Sequence, residues 1–151
     1  MDATEMASGL MVPWQPHLVQ PLDWRANKFS ISSNLSFLGS KVKGTAVNIY
    51  GSSAFPQKRY FLHFLCWLAK QATTGSWIVR GNFNLIASLN EKKGGRMVMD
   101  RHQEAFGELM ARNPFIDVEN DNVWHTWNNK HGGSHLVASR IDSFLTTEDI
   151  S

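Results

Sequence analysis

A single cysteine, Cys66, is present in 151 residues, so no internal disulfide can form. Its place in "FLHFLCWLAK", among large apolar side chains, predicts a reduced and packed thiol. The chain also lacks a long hydrophobic run: its longest nearly apolar stretch, "FLHFLCWLA", falls well short of the roughly 20 residues that a membrane-spanning helix needs. The N-terminal "MDATEMASGLMVPWQPHLVQP" sets Asp2 and Glu5 where a secretory signal carries positive charge, and its apolar "LMV" is too short for one. Neither export nor a membrane span is supported, and the expectation is an intracellular protein, nuclear or cytoplasmic, with no membrane partner. An excess of one charge is missing too, since 15 Lys and Arg against 13 Asp and Glu leave a formal net charge of +2. Lys41 with Lys43, Lys58 with Arg59, and Lys92, Lys93 and Arg96 form small basic groups rather than a tail. Nucleic acid is a permitted partner, not an indicated one.

Several catalytic signatures are absent. The six histidines form no tight metal-ligand arrangement; His131 and His135 are four apart, but the intervening "GGS" argues against the helix that would align them. "RGNFNLIASL" has no lysine followed by serine or threonine and no successive glycines, so it is not a phosphate loop, and no serine sits in a nucleophile elbow. His63 and His102 fall on predicted helices as boundary residues. The six tryptophans read as core and edge packing, with a base-stacking platform as the alternative for Trp124 and Trp127.

What is present is enough apolar material, 42% of residues, for one core. Residues 1–28, with Pro13, Pro16 and Pro21, show no sustained period and read as an irregular leader, from which Trp14, Leu18, Leu22 and Trp24 are able to pack on the domain of residues 29–151. "KFSISSNLSFLGSKVKGTAVNIYG" reads as a hairpin with Phe29, Ile31, Leu35 and Phe37 on one face. A helix follows from Ser53, its cap, with Phe61, Phe64, Leu65 and Leu68 as the stripe; "SWIVRGN" returns to a strand. Asp100 with Gln103 opens a second helix through a capping box, and Asn113 and Pro114 close it. "VWHTWNN" and "SRIDSFLTT" are the last strands, after the polar loop "DVENDN". The order strand, helix, strand makes this an α/β unit.

Polar residues stand at the ends of apolar strands: Asn48 and Tyr50 on one, Asn82 and Asn84 on another, and Asp142 inside "SRIDSFL". A carboxylate among Ile141, Phe144 and Leu145 is costly without a partner or cation, which makes Asp142 a functional candidate, with simple pairing to Arg140 as the alternative. The residues by themselves leave two readings open, a site or structural hydrogen bonding at strand ends.

The ordered series "VNIYG", "KRYFLHFL", "WIVRGNFNLIASLNEKKGG", "FGELM", "FIDV", "VWHTWNN" and "SRIDSFLTT", over residues 45–147, resembles the endonuclease/exonuclease/phosphatase superfamily. It is most similar to the C-terminal half of the endonuclease domain of plant non-LTR (LINE-type) retroelements. The resemblance implies an α/β fold, a partial two-sheet sandwich with two main helices, and Mg²⁺- or Mn²⁺-dependent phosphodiester hydrolysis. By it, Asn84 takes phosphate positioning, Tyr50 the phosphate-contacting tyrosine, and Asp142 the aspartate that supports a catalytic histidine. Asn48, Lys92, Lys93 and Arg96 are candidate phosphate or nucleic-acid contacts.

Where the family motif reads Gly-Asp-Phe-Asn, this chain has Gly81, Asn82, Phe83 and Asn84. An amide keeps an acceptor oxygen but carries no charge and takes no proton from water at neutral pH. The family's metal-binding asparagine and glutamate have no recognisable setting in residues 1–44, and its terminal histidine motif does not follow Asp142. The expectation is therefore a truncated pseudoenzyme with no cofactor, or Mg²⁺ or Mn²⁺ if residual nuclease activity exists. Exposed sheet surface in such a domain calls for a protein partner or self-association. The alternatives are a residual nucleic-acid binder and an endonuclease completed by another chain.

Overall fold

The computed structural model describes Leu10, residues 14–118 and residues 124–147. Asp2, Glu5, Pro13, residues 119–122 of the polar loop and Val123 of the expected strand lie outside the described residues. Residues 14–28, expected to be irregular, carry two short strands, β1 (Val19–Pro21) and β2 (Arg25–Ala26). Both pair antiparallel with β3 (Ser30–Phe37), Val19 opposite Phe37 and Arg25 opposite Ser32. Pro21 is tolerated because β1 is the sheet edge, where a missing N–H forfeits no ladder bond. The segment between is tied down as well: Ser33 Oγ donates to Asp23 O at 2.7 Å, and the Asn34 N–H donates to Asp23 Oδ1 at 2.9 Å.

β3 forms the expected hairpin with β4 (Lys43–Tyr50), in register from Ser30 opposite Ile49 to Ser36 opposite Lys43. Phe29 does not share the face of Leu35 and Phe37. The Asn27 side chain accepts from the N–H groups of Phe29 and Ser30, and this turn resets the alternation before the strand begins. Phe29 accordingly packs on Phe61 and Phe64 of the first helix, whereas Leu35 and Phe37 line a cleft on the opposite side of the sheet.

The N-cap of helix α1 (Phe55–Gln71) is Ala54, one residue later than the expected Ser53, and makes no side-chain cap bond. Pro56 sits in its first turn, where the missing N–H has no helical acceptor to satisfy. Phe61, Leu62, Leu65, Leu68 and Ala69 are its buried residues. Cys66 is exposed, not packed, because it follows Leu65 around the helix onto the solvent side with Trp67. β5 (Ser76–Asn82) then runs parallel to β4.

After a short 3-10 turn (Leu89–Glu91) come β6 (Lys92–Lys93) and α2 (Arg101–Arg112). The capping box of α2 forms as the sequence predicts: Asp100 Oδ1 accepts from the N–H groups of His102 and Gln103, and Gln103 Oε1 accepts from the Asp100 N–H. Asp100→Ala should cost about 1 kcal/mol, the usual worth of a cap, measured as a shift in the urea midpoint. Replacement by Asn should recover most of it. Neither histidine expected at the boundary between buried and exposed positions lies there: His102 is buried, its ring edge-to-face with Phe55 at 4.5 Å, and His63 is exposed.

The rest of the chain is β7 (Ile116–Asp117), β8 (Trp127–Asn128), β9 (Ala138–Ser139) and β10 (Asp142–Thr146). "SRIDSFLTT" is thus two strands, broken at Arg140 and Ile141 where the chain passes from one sheet to another. The main sheet is ordered β1-β3-β4-β5-β10-β7, with β2 also on β3; the small one is β6-β9-β8. Val47, Ile49, Val79 and Leu145 of the main sheet pack with Phe61, Leu65 and Leu68 of α1 and Phe106 and Leu109 of α2, so both helices cover one face. No helix among the described residues is long and apolar enough to cross a membrane.

Candidate functional site

The face of the main sheet opposite the two helices collects the polar strand ends. Register sets Tyr50 of β4 opposite Asn82 of β5, and Asn82 opposite Asp142 of β10. Side chains of paired residues share a face, so the three stand abreast across neighbouring strands. One row back along the strands, Asn48 is opposite Arg80, and Arg80 is opposite Phe144.

The turn "RGNFN" has this shape for identifiable reasons. Gly81 has φ +130°, and a Cβ there would stand 2.0 Å from Ile49 O, so only glycine lets β5 lie this close to β4. Gly51 is equally confined, with Phe83 O 2.3 Å from where its Cβ would be. Phe83 is the anchor: 1% exposed, it lies between Phe61 at 6.3 Å and Phe106 at 5.6 Å. Its N–H donates to Ile141 O at 2.7 Å, tying the turn to the start of β10.

Asn82 and Asn84 are spent largely on this turn. The Asn84 N–H donates to Asn82 Oδ1 at 2.8 Å, and Asn84, at φ +51°, sends its Nδ2 to Gly51 O at 2.7 Å. The amide of Asn82 therefore works as an Asx turn, for which neutral oxygen suffices. Asp142 is half-buried rather than enclosed, and Phe144, expected to be buried, is 39% exposed on the open face.

Arg140 does not pair with Asp142. Its guanidinium grips Asp117 bidentately, at 2.6 and 2.7 Å, and reaches Glu91 Oε1 at 3.0 Å. It also lies 5.4 Å from the centre of the Trp124 ring. The Asp117 hydrogen bonds, more than any other contact, hold the Arg140 pKa above its ordinary value against the opposing effect of burial. Sequence reasoning missed this clamp because its partners are remote in the chain and Asp142 is close. It missed Thr126 as well, whose Oγ1 accepts from the N–H groups of Ile141 at 3.0 Å and Asp142 at 3.1 Å and so fixes the entry of β10. No spacing signal marked Thr126.

The basic candidates are elsewhere. Lys92 and Lys93 form β6 in the small sheet, and Lys92 Nζ donates to Arg96 O at 2.7 Å across the Gly94-Gly95 turn. Lys93 and Arg96 are exposed.

The folds of known proteins agree with this layout. D. rerio TDP2, complexed with a single-strand DNA product, is 14% identical over 86% of this chain and 54% of its own, at a TM-score of 0.57. The human Nocturnin catalytic domain with bound sulfate anion is 10% identical over 88% and 50%, at 0.56. An endonuclease/exonuclease/phosphatase family protein from Bacteroides thetaiotaomicron is 9% identical over 89% and 54%, at 0.56. The chain has the endonuclease/exonuclease/phosphatase fold. It spans about half the length of these structures. No family profile and no curated protein matches it by sequence.

Phosphodiester hydrolysis on the endonuclease/exonuclease/phosphatase fold, as the resemblance has it, uses Mg²⁺ or Mn²⁺, and the donor set can be tested for such an ion. Hard cations of this kind are held by carboxylates with other oxygens and water. In the row of strand ends Asp142 is the single carboxylate; Asn82 Oδ1 is engaged by the Asn84 N–H, and Glu91 and Asp117 are engaged by Arg140. Among the described residues no three His, Cys, Asp or Glu side chains are grouped to hold a metal ion. The residues at this edge do not fit the cation.

Proposed function

We propose that this chain is a catalytically inactive protein, derived from the endonuclease domain of a plant LINE-type retroelement, that works through protein–protein contact at the open face of its main sheet. The observation that carries the reading is Asn82. By the resemblance it stands at the position of the motif's aspartate, and its side-chain oxygen accepts from the Asn84 N–H at 2.8 Å. A neutral, hydrogen-bonded amide neither deprotonates water nor supports a cation with charge. The contact role is supported by the apolar side chains that the same face leaves in solvent, among them Trp14, Trp24 and Phe144.

The test is Mg²⁺-dependent cleavage of an abasic duplex by the Asn82→Asp protein beside the unmodified one. The substitution restores one charge but none of the other donors, so both proteins are expected to leave the duplex intact. Robust cutting by the unmodified protein would refute the reading.

A second reading, residual nucleic-acid binding or an endonuclease completed by another chain, has one observation in its favour: exposed Lys93 and Arg96 flank a glycine turn. It requires duplex binding that weakens with salt and with changes at Lys93 or Arg96. Lys92, already bonded to Arg96 O, should matter less.

A further inference from the structure

The open face has a composition that says what it is able to meet, granted the contact role just proposed. Trp14, Leu18 and Trp24 of the N-terminal segment, with Phe37, Ile78 and Phe144 of the sheet, line a cleft of about 290 Å³. Trp14 and Trp24 touch at 5.5 Å between ring centroids, yet remain 49% and 46% exposed. Both helices pack on the other side, so among the described residues no helix covers this one.

Two charges of opposite sign stand on this apolar surface. Arg80 projects from β5 opposite Phe144, and Asp142 lies two residues back along β10 from Phe144. Neither side chain makes an ion pair or hydrogen bond among the described residues, although they are diagonal neighbours. A partner surface of one sign would leave either the guanidinium or the carboxylate buried without a counter-ion, which is costly. A surface carrying both signs satisfies the two at once, and this face is itself such a surface. Under two-fold rotation, residue i meets residue j and residue j meets residue i.

We propose that a second copy of the chain docks on this face, sheet to sheet about a two-fold axis, with Arg80 of each copy against Asp142 of the other. The size is at the lower limit for a specific contact. Strands β1, β3, β4, β5 and β10 have 3, 8, 8, 7 and 5 residues; at about 3.3 Å per residue and about 4.8 Å between strands they make a face of roughly 490 Å². Two such faces give on the order of 1,000 Å², where specific interfaces begin. The Trp14 and Trp24 rings and Phe144 supply the aromatic anchors that dominate such contacts.

The test is light scattering with size exclusion over a concentration series, on the full chain. The unmodified protein is expected to be a dimer. Arg80→Glu sets two carboxylates against each other at both symmetric contacts, and Asp142→Arg sets two guanidinium groups against each other at both. Each alone should weaken self-association by roughly 100-fold or more. An equimolar mixture of the two makes both contacts attractive within the mixed pair and should recover the dimer. Arg80→Gln and Asp142→Asn, milder changes checked for fold by circular dichroism, should each weaken it less than the reversals. A monomeric unmodified protein, reversals that dimerise as well as the original, or a mixture that stays monomeric would each overturn the proposal. A monomer leaves the contact role open to a different protein partner, whereas metal-dependent cutting of the abasic duplex would sink that role itself.

Discussion

Arg140→Ala is expected to lower stability by about 3–5 kcal/mol, the usual consequence of removing one partner from a buried ion pair. The residue is 6% exposed and is held by two carboxylates from different parts of the chain, Asp117 of β7 and Glu91 at the end of the 3-10 turn. Its backbone reinforces the connection, since the Arg140 N–H donates to Glu91 O at 2.8 Å. Removing the guanidinium leaves two carboxylates close together, Glu91 well buried and Asp117 partly so, and takes away the cation over Trp124. Lysine keeps the charge but not the fork that matches Asp117, so Arg140→Lys should recover only part of the loss. The measurement is urea unfolding at neutral pH, with m compared between proteins to confirm that the same surface is exposed. A loss below about 1 kcal/mol, the range of exposed pairs, would mean that the clamp is not a buried one.

Phe83→Ala should be comparably severe. The ring is 1% exposed and lies between Phe61 of α1 and Phe106 of α2, so it joins both helices to the end of β5. Phenylalanine to alanine in a core costs about 3–5 kcal/mol, as lost transfer energy plus the cavity left behind. For a chain of this length that corresponds to a fall in Tm on the order of 10 °C. Phe83→Leu, which keeps most of the volume, should cost less than half as much. Because the neighbours of Phe83 are Asn82 and Asn84, the same substitution should loosen the turn that holds them. Faster amide exchange at Asn84, whose N–H donates to Asn82 Oδ1, is the accompanying sign. Unchanged exchange would separate the turn from its anchor.

How far these features could be read from the residues depended on how local their causes are. The α2 cap needs only Asp100 and Gln103, three apart, and the β3–β4 hairpin needs one alternating stretch with glycine between. Both follow from short-range chemistry. The pairing of Val19–Pro21 with β3 does not, because it uses backbone groups on a strand whose side chains show no period and whose prolines suggest a loop. Cys66 differs from expectation for another reason: "FLHFLCWLAK" is apolar nearly all round, and only the packing of Leu65 and Leu68 decides that Cys66 and Trp67 face outward. For Arg140 the sequence offers Asp142 as one possible partner, whereas its actual partners Asp117 and Glu91 are 23 and 49 residues away.

The site divides in the same way. Gly81, Asn82, Phe83 and Asn84 stand out as a strand-end turn in the sequence, and their motif carries the resemblance. That Tyr50, Asn82 and Asp142 stand abreast depends on a parallel pairing across α1 and an antiparallel pairing between β5 and β10, neither of which leaves a local mark. The engagement of Asn82 by Asn84 is likewise a property of the folded turn. In that turn the Asn82 amide holds the turn's own backbone.

The most direct measurement is cleavage by the unmodified chain. Purified protein incubated with supercoiled plasmid and with an abasic duplex, in Mg²⁺ and separately in Mn²⁺, should produce no nicking above a chelator-treated control. Robust metal-dependent cutting that a mutation at Asp142 abolishes would contradict the inactive reading and return the strand-end row to the status of a working centre.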